Sequence, residues 1–380
     1  MSLQPQSRPR QSVSRPYSRS PGGLLIPLHA TLKGRVRWQV LDERGVPEVP
    51  RTPSGIPVGP VEGVEQPNLI TNLGMDRFPT RNLFNLSPTQ VPSYRKRLAV
   101  GTGSTAPDFT DTTLDNEVQR AQSSGTFSDG SNDYELDTDA TPNVYRATSL
   151  VTRVVTMTAD RNLTEFGLAD DASGDILIRE LLRDGGGTPI TVSLLDGKTL
   201  RLDHTFYVEL PAPEDGQQTT INVEEYDAGD NLVATIPYDV TYGSVINGVT
   251  ATQLGGVFNA WNPATAVGRW RAIIKDPVTW DRNGMLNNDG HFSPSWGTGA
   301  NMGALTQEVY TTGTYSRWER ALADVGEGNH AWLGFIFAGS TSYTPGRGTG
   351  AAFIFTDPLT YTKQNTDTLR VGMVRSWARA

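Results

Sequence analysis

Between Leu28 and Val40 the chain alternates without a break. Leu28, Ala30, Leu32, Gly34, Val36, Trp38 and Val40 share one parity, and His29, Thr31, Lys33, Arg35, Arg37 and Gln39 the other. A period of two puts the two sets on opposite faces of an extended strand. At about 3.3 Å per residue the stretch would run about 43 Å. One of its faces is apolar and the other strongly cationic.

The rest of the chain agrees with a β protein. Gly and Pro together make up about a sixth of the 380 residues, which suits a turn-dense all-β chain better than a helical one. Val144–Thr158 is dense in β-branched residues and reads as a core strand. Short strands are expected at 163–169, 176–182, 219–226 and 232–238, and again at 332–338, 351–356 and 369–377. Asp196-Gly197 between apolar flanks predicts a hairpin over 194–200. The strand after it places His204 on an apolar face, as a core histidine. Residues 69–78 allow one or two helical turns, and Tyr315–Val325 is the best candidate for a longer helix. Residues 122–143 and much of 245–304 read as polar or Gly-rich loops. The expected fold is all-β: an antiparallel, jelly-roll-like β-sandwich with long loops and an extended N-terminal arm.

Charge and proline divide the chain. Residues 1–20 hold Arg8, Arg10, Arg15 and Arg19 and no acid, which leaves 29 basic against 41 acidic residues, a net −12, for the remainder. A basic arm on an acidic body is suited to docking on an acidic partner surface. Arg, with its rigid fork of donors, favours fixed protein–protein contacts. The arm has a single aromatic, Tyr17, where nucleic-acid binding would want several. Residues 43–67 carry six prolines and read as a stiff tether. The expected division is therefore an arm, long strand and tether over 1–67, then a body over 68–380, with 211–330 an elaborated or second β subdomain. Lys33, Arg35 and Arg37 on the long strand are expected to join the arm in binding neighbouring subunits.

No chemistry-bearing motif stands out. The chain has no Cys, which excludes disulfides, thiolate metal sites and Cys nucleophiles, and its four His have no ligand-like spacing. Gly101-Thr102-Gly103-Ser104-Thr105 lacks the Lys and following helix of a phosphate loop, and no Gly-x-Ser-x-Gly elbow occurs. Asp129, Asp133, Glu135, Asp137 and Asp139 offer oxygen ligands for Ca²⁺. Gly130 beside Asp129 breaks the EF-hand spacing, so a solvated loop is the expectation. Trp261, Trp280 and Trp296 could stack on sugars. No catalytic residue, metal or cofactor is expected. Residues 1–23 lack the apolar core of a signal peptide, and the longest apolar run, 331–338, is too short to span a bilayer.

Four pieces, in order, resemble a family of tailed-bacteriophage virion structural proteins. They are Asn68-Leu69-Ile70-Thr71-Asn72 with Gly74-Met75-Asp76; Val100 to Pro107 with Thr110-Asp111-Thr112-Thr113-Leu114; Leu163-Thr164-Glu165-Phe166-Gly167-Leu168 with Ile178-Arg179; and Lys363-Gln364-Asn365 leading to Ser376-Trp377-Ala378-Arg379. The resemblance implies a non-enzymatic virion component of a tail or neck. Its arm would grip other virion proteins within a symmetric homo-oligomer. The alternative is a receptor- or glycan-binding fibre or capsid-decoration protein that uses the three tryptophans.

Overall fold

The computed structural model describes residues 23–78, 95, 97–121, 129–137, 144–170, 174–211, 218–226, 231–244, 270–275, 301–307, 312–323, 328–338, 350–363 and 369–380. The long strand is present as β1 (Gly23–Leu41). From residue 29 its burial alternates as its sequence does. Ala30, Leu32, Val36, Trp38 and Val40 are buried, while His29, Lys33, Arg35 and Arg37 are exposed.

In chain order there follow β2 (Pro47–Glu48), β3 (Val64–Pro67), β4 (Leu69–Ile70), α1 (Asn72–Arg77), β5 (Arg97–Gly101), β6 (Glu117–Arg120) and β7 (Asp129–Asp137). Next come β8 (Val144–Thr156), β9 (Arg161–Leu163), β10 (Glu165–Ala169), β11 (Ile176–Leu181), β12 (Val192–Leu194), β13 (Thr199–Pro211), β14 (Gln218–Tyr226) and β15 (Leu232–Ser244). The last are β16 (Trp270–Lys275), β17 (Asn301–Gln307), β18 (Ser316–Ala323), β19 (Gly328–Ala338), β20 (Gly350–Lys363) and β21 (Leu369–Arg379). The fold is all-β and overwhelmingly antiparallel.

β1 is paired on both edges. One edge carries β14 at Gly23–Leu25 and β13 along Thr31–Leu41. The other carries β21 along Gly23–Leu32, then β3 at Arg35–Trp38 and β2 at Val40–Leu41. Its first half thereby closes a circuit of strands, β1-β14-β15-β20-β19-β16-β17-β18-β21 and back to β1. A ring with an odd number of strands cannot alternate in direction all the way round. One parallel contact is required, and β1–β21 supplies it. Beyond the ring, β13, β8 and β7 extend the same sheet.

A second sheet runs β4-β11-β10-β5-β6, and β9 pairs with β12 in a small third one. Apolar side chains of the first sheet (Val36, Trp38, Leu202, Phe206) and of the second (Leu98, Val100, Phe166, Ile178) belong to one buried cluster. Trp38 ties the layers with polar contacts as well. Its indole N–H donates to Gln66 Oε1 at 3.1 Å and to the Arg183 carbonyl, and Gln66 Nε2 donates to the Leu181 carbonyl at 2.7 Å.

Four expectations are corrected. Residues 43–67 are not a tether: they turn back and lay β2 and β3 along β1. Asp42 and Gly45 begin this. Asp42 Oδ1 accepts from the backbone N–H groups of Arg44 and Val46, and Gly45 sits at φ 79°, where a side chain would be strained. The helix expected at Tyr315–Val325 is β18, held between β17 and β21. The Asp196-Gly197 turn forms, with Gly197 at φ 81°, but its flanks do not pair with each other. β12 goes to β9 and β13 to β1 and β8. Finally, the loop expected at 122–143 contains β7, paired with β8.

Trp38→Ala should lower the unfolding free energy by about 3–5 kcal/mol, the usual cost of emptying a large buried aromatic site. Urea unfolding monitored by far-ultraviolet circular dichroism measures this. A loss under about 1 kcal/mol would show that the Trp38 site is not a core.

Candidate functional site

Residues from each of the four sequence pieces, Trp377 and Arg379 for the last of them, meet in space at two places. The first centres on Glu165, at the start of β10, whose side chain is fully buried. Its carboxylate accepts from the backbone N–H groups of Gly103 (3.0 Å), Asp115 (3.1 Å) and Asn116 (2.9 Å). Arg179, on β11, donates to it from Nε at 3.1 Å and from Nη2 at 2.9 Å. Arg179 also donates to Asp111 Oδ2 and to the Thr105 carbonyl. Burial alone would lower the Arg179 guanidinium, but its bonds to Asp111 and Glu165 outweigh that and raise it. The cation is locked in its charged form.

The glycines of the motif follow from this crowding. A Cβ on Gly101 would stand 2.5 Å from Glu165 Oε1, and one on Gly103 would stand 2.4 Å from the same atom. On Gly167 it would meet Ile176 and Leu114 at 2.8–3.0 Å. The 101–117 loop is thus folded over a buried charge pair. Every oxygen of Glu165 is engaged, so it is not poised as a base or a ligand.

The second meeting place joins 68–78 to the end of the chain. Thr71 caps α1, its Oγ1 accepting from the Gly74 N–H at 3.0 Å. Trp377 donates from its indole to the Met75 carbonyl at 3.1 Å and packs on Phe78, ring centroids 5.6 Å apart. Arg379 donates to the Ile70 carbonyl at 2.6 Å and to Asn72 Oδ1 at 2.7 Å, with its guanidinium 4.4 Å above the Phe109 ring.

The cations expected to bind neighbours from β1 are matched within the chain. Lys33 pairs with Glu209 at 2.6 Å, Arg35 with Glu65 at 2.8 Å and Arg37 with Asp203 at 2.9 Å. Arg37 and Asp203 stand directly opposite across β1 and β13, and the other two pairs are diagonal. Burial alone would raise the Asp203 carboxyl. Hydrogen bonds from Thr152, Arg37 and Arg201 outweigh it and hold the group below the ordinary carboxylate range. Arg35–Glu65 is open to solvent on both sides and contributes at most about 1 kcal/mol.

The remaining expected sites divide simply. Arg8, Arg10, Arg15, Arg19, Trp261, Trp280, Trp296 and Asp139 lie outside the described residues. Glu135 and Asp137, offered as Ca²⁺ ligands, are both paired with Arg146. Among the described residues no group of three or more His, Asp or Glu is placed to hold a metal ion, and no helix is long and apolar enough to cross a membrane.

His204 is a core histidine, as expected, but with unexpected company. Arg95 and Arg153 are buried with it. Arg95 Nη1 lies 2.7 Å from His204 Nδ1, which is therefore the ring's acceptor nitrogen. Burial and the two cations, Arg95 first, depress the ring's protonation well below the ordinary histidine value. Alternation along β8 could have found Arg153, since it shares parity with Val151 and Val155. Glu165 and Arg179 had a signal of their own: charges set inside short apolar runs.

Comparisons with known proteins add no assignment. No protein-family model matches the chain, and no curated protein matches it. Two crystal structures of BcpA, the major pilin subunit of Bacillus cereus, align over 93% of this chain and 99% of theirs. Their identity is 9–10% and the TM-score 0.13, a likeness that carries no argument.

Two outcomes follow. Arg179→Met leaves the buried Glu165 charge without its cation and should cost about 3–5 kcal/mol, and Glu165→Gln, which leaves Arg179 only Asp111, should cost less. Limited proteolysis should then cut first within 102–116, and unchanged protection there would refute the role of the pair. His204, with its protonation depressed in the fold, contributes stability in full above about pH 6.5 and loses it as pH falls below that. Unfolding midpoints taken between pH 7.5 and 5 should show a slope of up to about 1.4 kcal/mol per pH unit that His204→Gln abolishes.

Proposed function

We propose that the protein is a non-enzymatic structural component of a tailed-phage virion, tail- or neck-associated, anchored to neighbouring subunits by residues 1–22. The reading rests on the sequence resemblance and on one structural observation. The basic arm continues directly into β1, and β1 is paired on both edges from its first residue. A pull on such an arm runs along the strand axis. It loads the β21 and β13 ladders in shear, so that many hydrogen bonds resist together instead of opening one by one. A cationic segment fixed to the best-held strand of its own body is suited to a permanent mechanical joint.

The motif residues support the same reading. They close a loop over a buried ion pair and fasten the chain's last strand, which is work of assembly and not of catalysis. The β1 cations are engaged within the chain by Glu209, Glu65 and Asp203, so this reading gives the docking role to the arm.

Truncation separates the arm from the strand. A chain lacking residues 1–22 should fold with an unchanged unfolding midpoint yet fail to enter particles in a complementation assay. Removing residues 1–40 deletes a core strand and should abolish folding altogether. Normal incorporation of the shorter truncation would overturn the anchoring role.

A further inference from the structure

A pocket of about 410 Å³ opens beside β1, between β3, β4 and the end of β21. Leu32, Pro67, Leu69, Ile70 and Phe109 give it apolar walls. Three cationic side chains line it, Lys33, Arg35 and Arg379, against one acidic side chain, Glu180, and the main chain of Ala380 adjoins them. Glu180 is engaged by Arg183, and Lys33 and Arg35 have their own acids outside the pocket.

Arg379 differs from the other two. Among the described residues no carboxylate pairs with it. Its Nε and Nη2 are spent on the Ile70 carbonyl and Asn72 Oδ1, and the Phe109 and Tyr315 rings lie 4.4 and 5.8 Å from its guanidinium carbon. The group is therefore fixed in place with no acidic side chain paired to it. A second unmet group lies at the same pocket. Both polar atoms of the Asn68 amide are buried without a hydrogen-bond partner, pressed where a Cβ on Gly34 would stand 2.4 Å from Oδ1.

We propose that this pocket binds a small carboxylate with an apolar body, its anionic group on Arg379 and its body against Leu69 and Phe109. A single fixed guanidinium matches a monoanion. A phosphate dianion would lose more hydration among these apolar walls than one cation returns. The arm is excluded as occupant by charge, since it carries only cations. The site stands apart from the structural role proposed above, and its failure would leave that role untouched.

Isothermal titration of the full chain with phenylacetate, phenylacetamide and inorganic phosphate tests the site. Phenylacetate should bind saturably, and its neutral amide and phosphate about tenfold or more weakly. Arg379→Gln should weaken phenylacetate about tenfold. Arg379 also fastens β21, so Arg35→Gln and Phe109→Ala, both at exposed positions, serve where that variant fails to fold. Each should weaken binding a few-fold, roughly as an exposed charge or a partial apolar contact does. Absence of saturable binding, equal affinity for the amide or for phosphate, or affinity unchanged in all three variants would each overturn the proposal.

Discussion

A strand has two edges, and the architecture of this protein is largely a consequence of how β1 shares its own. Five strands compete for them. β21 and β14 take the first half, and β13, β3 and β2 take the second. Buried N–H and C=O groups must find partners, so the buried lengths of these edges draw other strands to them. The first half meets that need by closing a ring, and the second by stacking a layered core. The parallel β1–β21 contact is the price of joining them: with an odd number of strands in the circuit, one pair must run the same way.

The same strand explains where charge goes. β1 presents a cationic row on a face where β13 and β3 present Asp203, Glu209 and Glu65. Cross-strand pairing of this kind fixes register as well as charge, because a slip of one residue would bring the row to the apolar side. A row of bases that reads as a docking face is, in the folded chain, half of an internal match. The arm ahead of Gly23 has no such acids near it in sequence. In the proposed reading the arm, and not the strand, is therefore the anchor.

What could be read beforehand follows the range over which each signal acts. Alternation along β1 and β13 is local, and it placed their buried side chains correctly. So did the turn chemistry of Asp196-Gly197. Which strands those turns join is not local, and the hairpin reading failed there because β9 takes β12 while β1 and β8 take β13. Arg317-Trp318-Glu319-Arg320-Ala321-Leu322 favours a helix by itself, yet between β17 and β21 its backbone is worth more as a strand. The prolines of 43–67 suit an extended tether and a series of tight turns equally. Asp42 and the positive φ values at Gly45, Gly55 and Gly63 decide for turns. Asn68 and Arg379 could not have been joined from sequence, since only the fold brings the two ends of the body to one pocket.

The Glu165–Arg179 pair shows why a motif can be specific and still not be a site. A buried carboxylate can serve catalysis when part of its hydrogen-bonding capacity is left open to a substrate or a proton. Here three backbone N–H groups and a two-pronged guanidinium fill it. The glycines at 101 and 103 exist to let that happen, and the loop they belong to is held shut by the charge it covers. Such a pair adds little net stability over apolar packing, but breaking it is costly, so it selects one arrangement of the loop against others. What the pair supplies is selectivity for one shape of the loop. The residue types that look most like chemistry in this chain are the ones that hold it still.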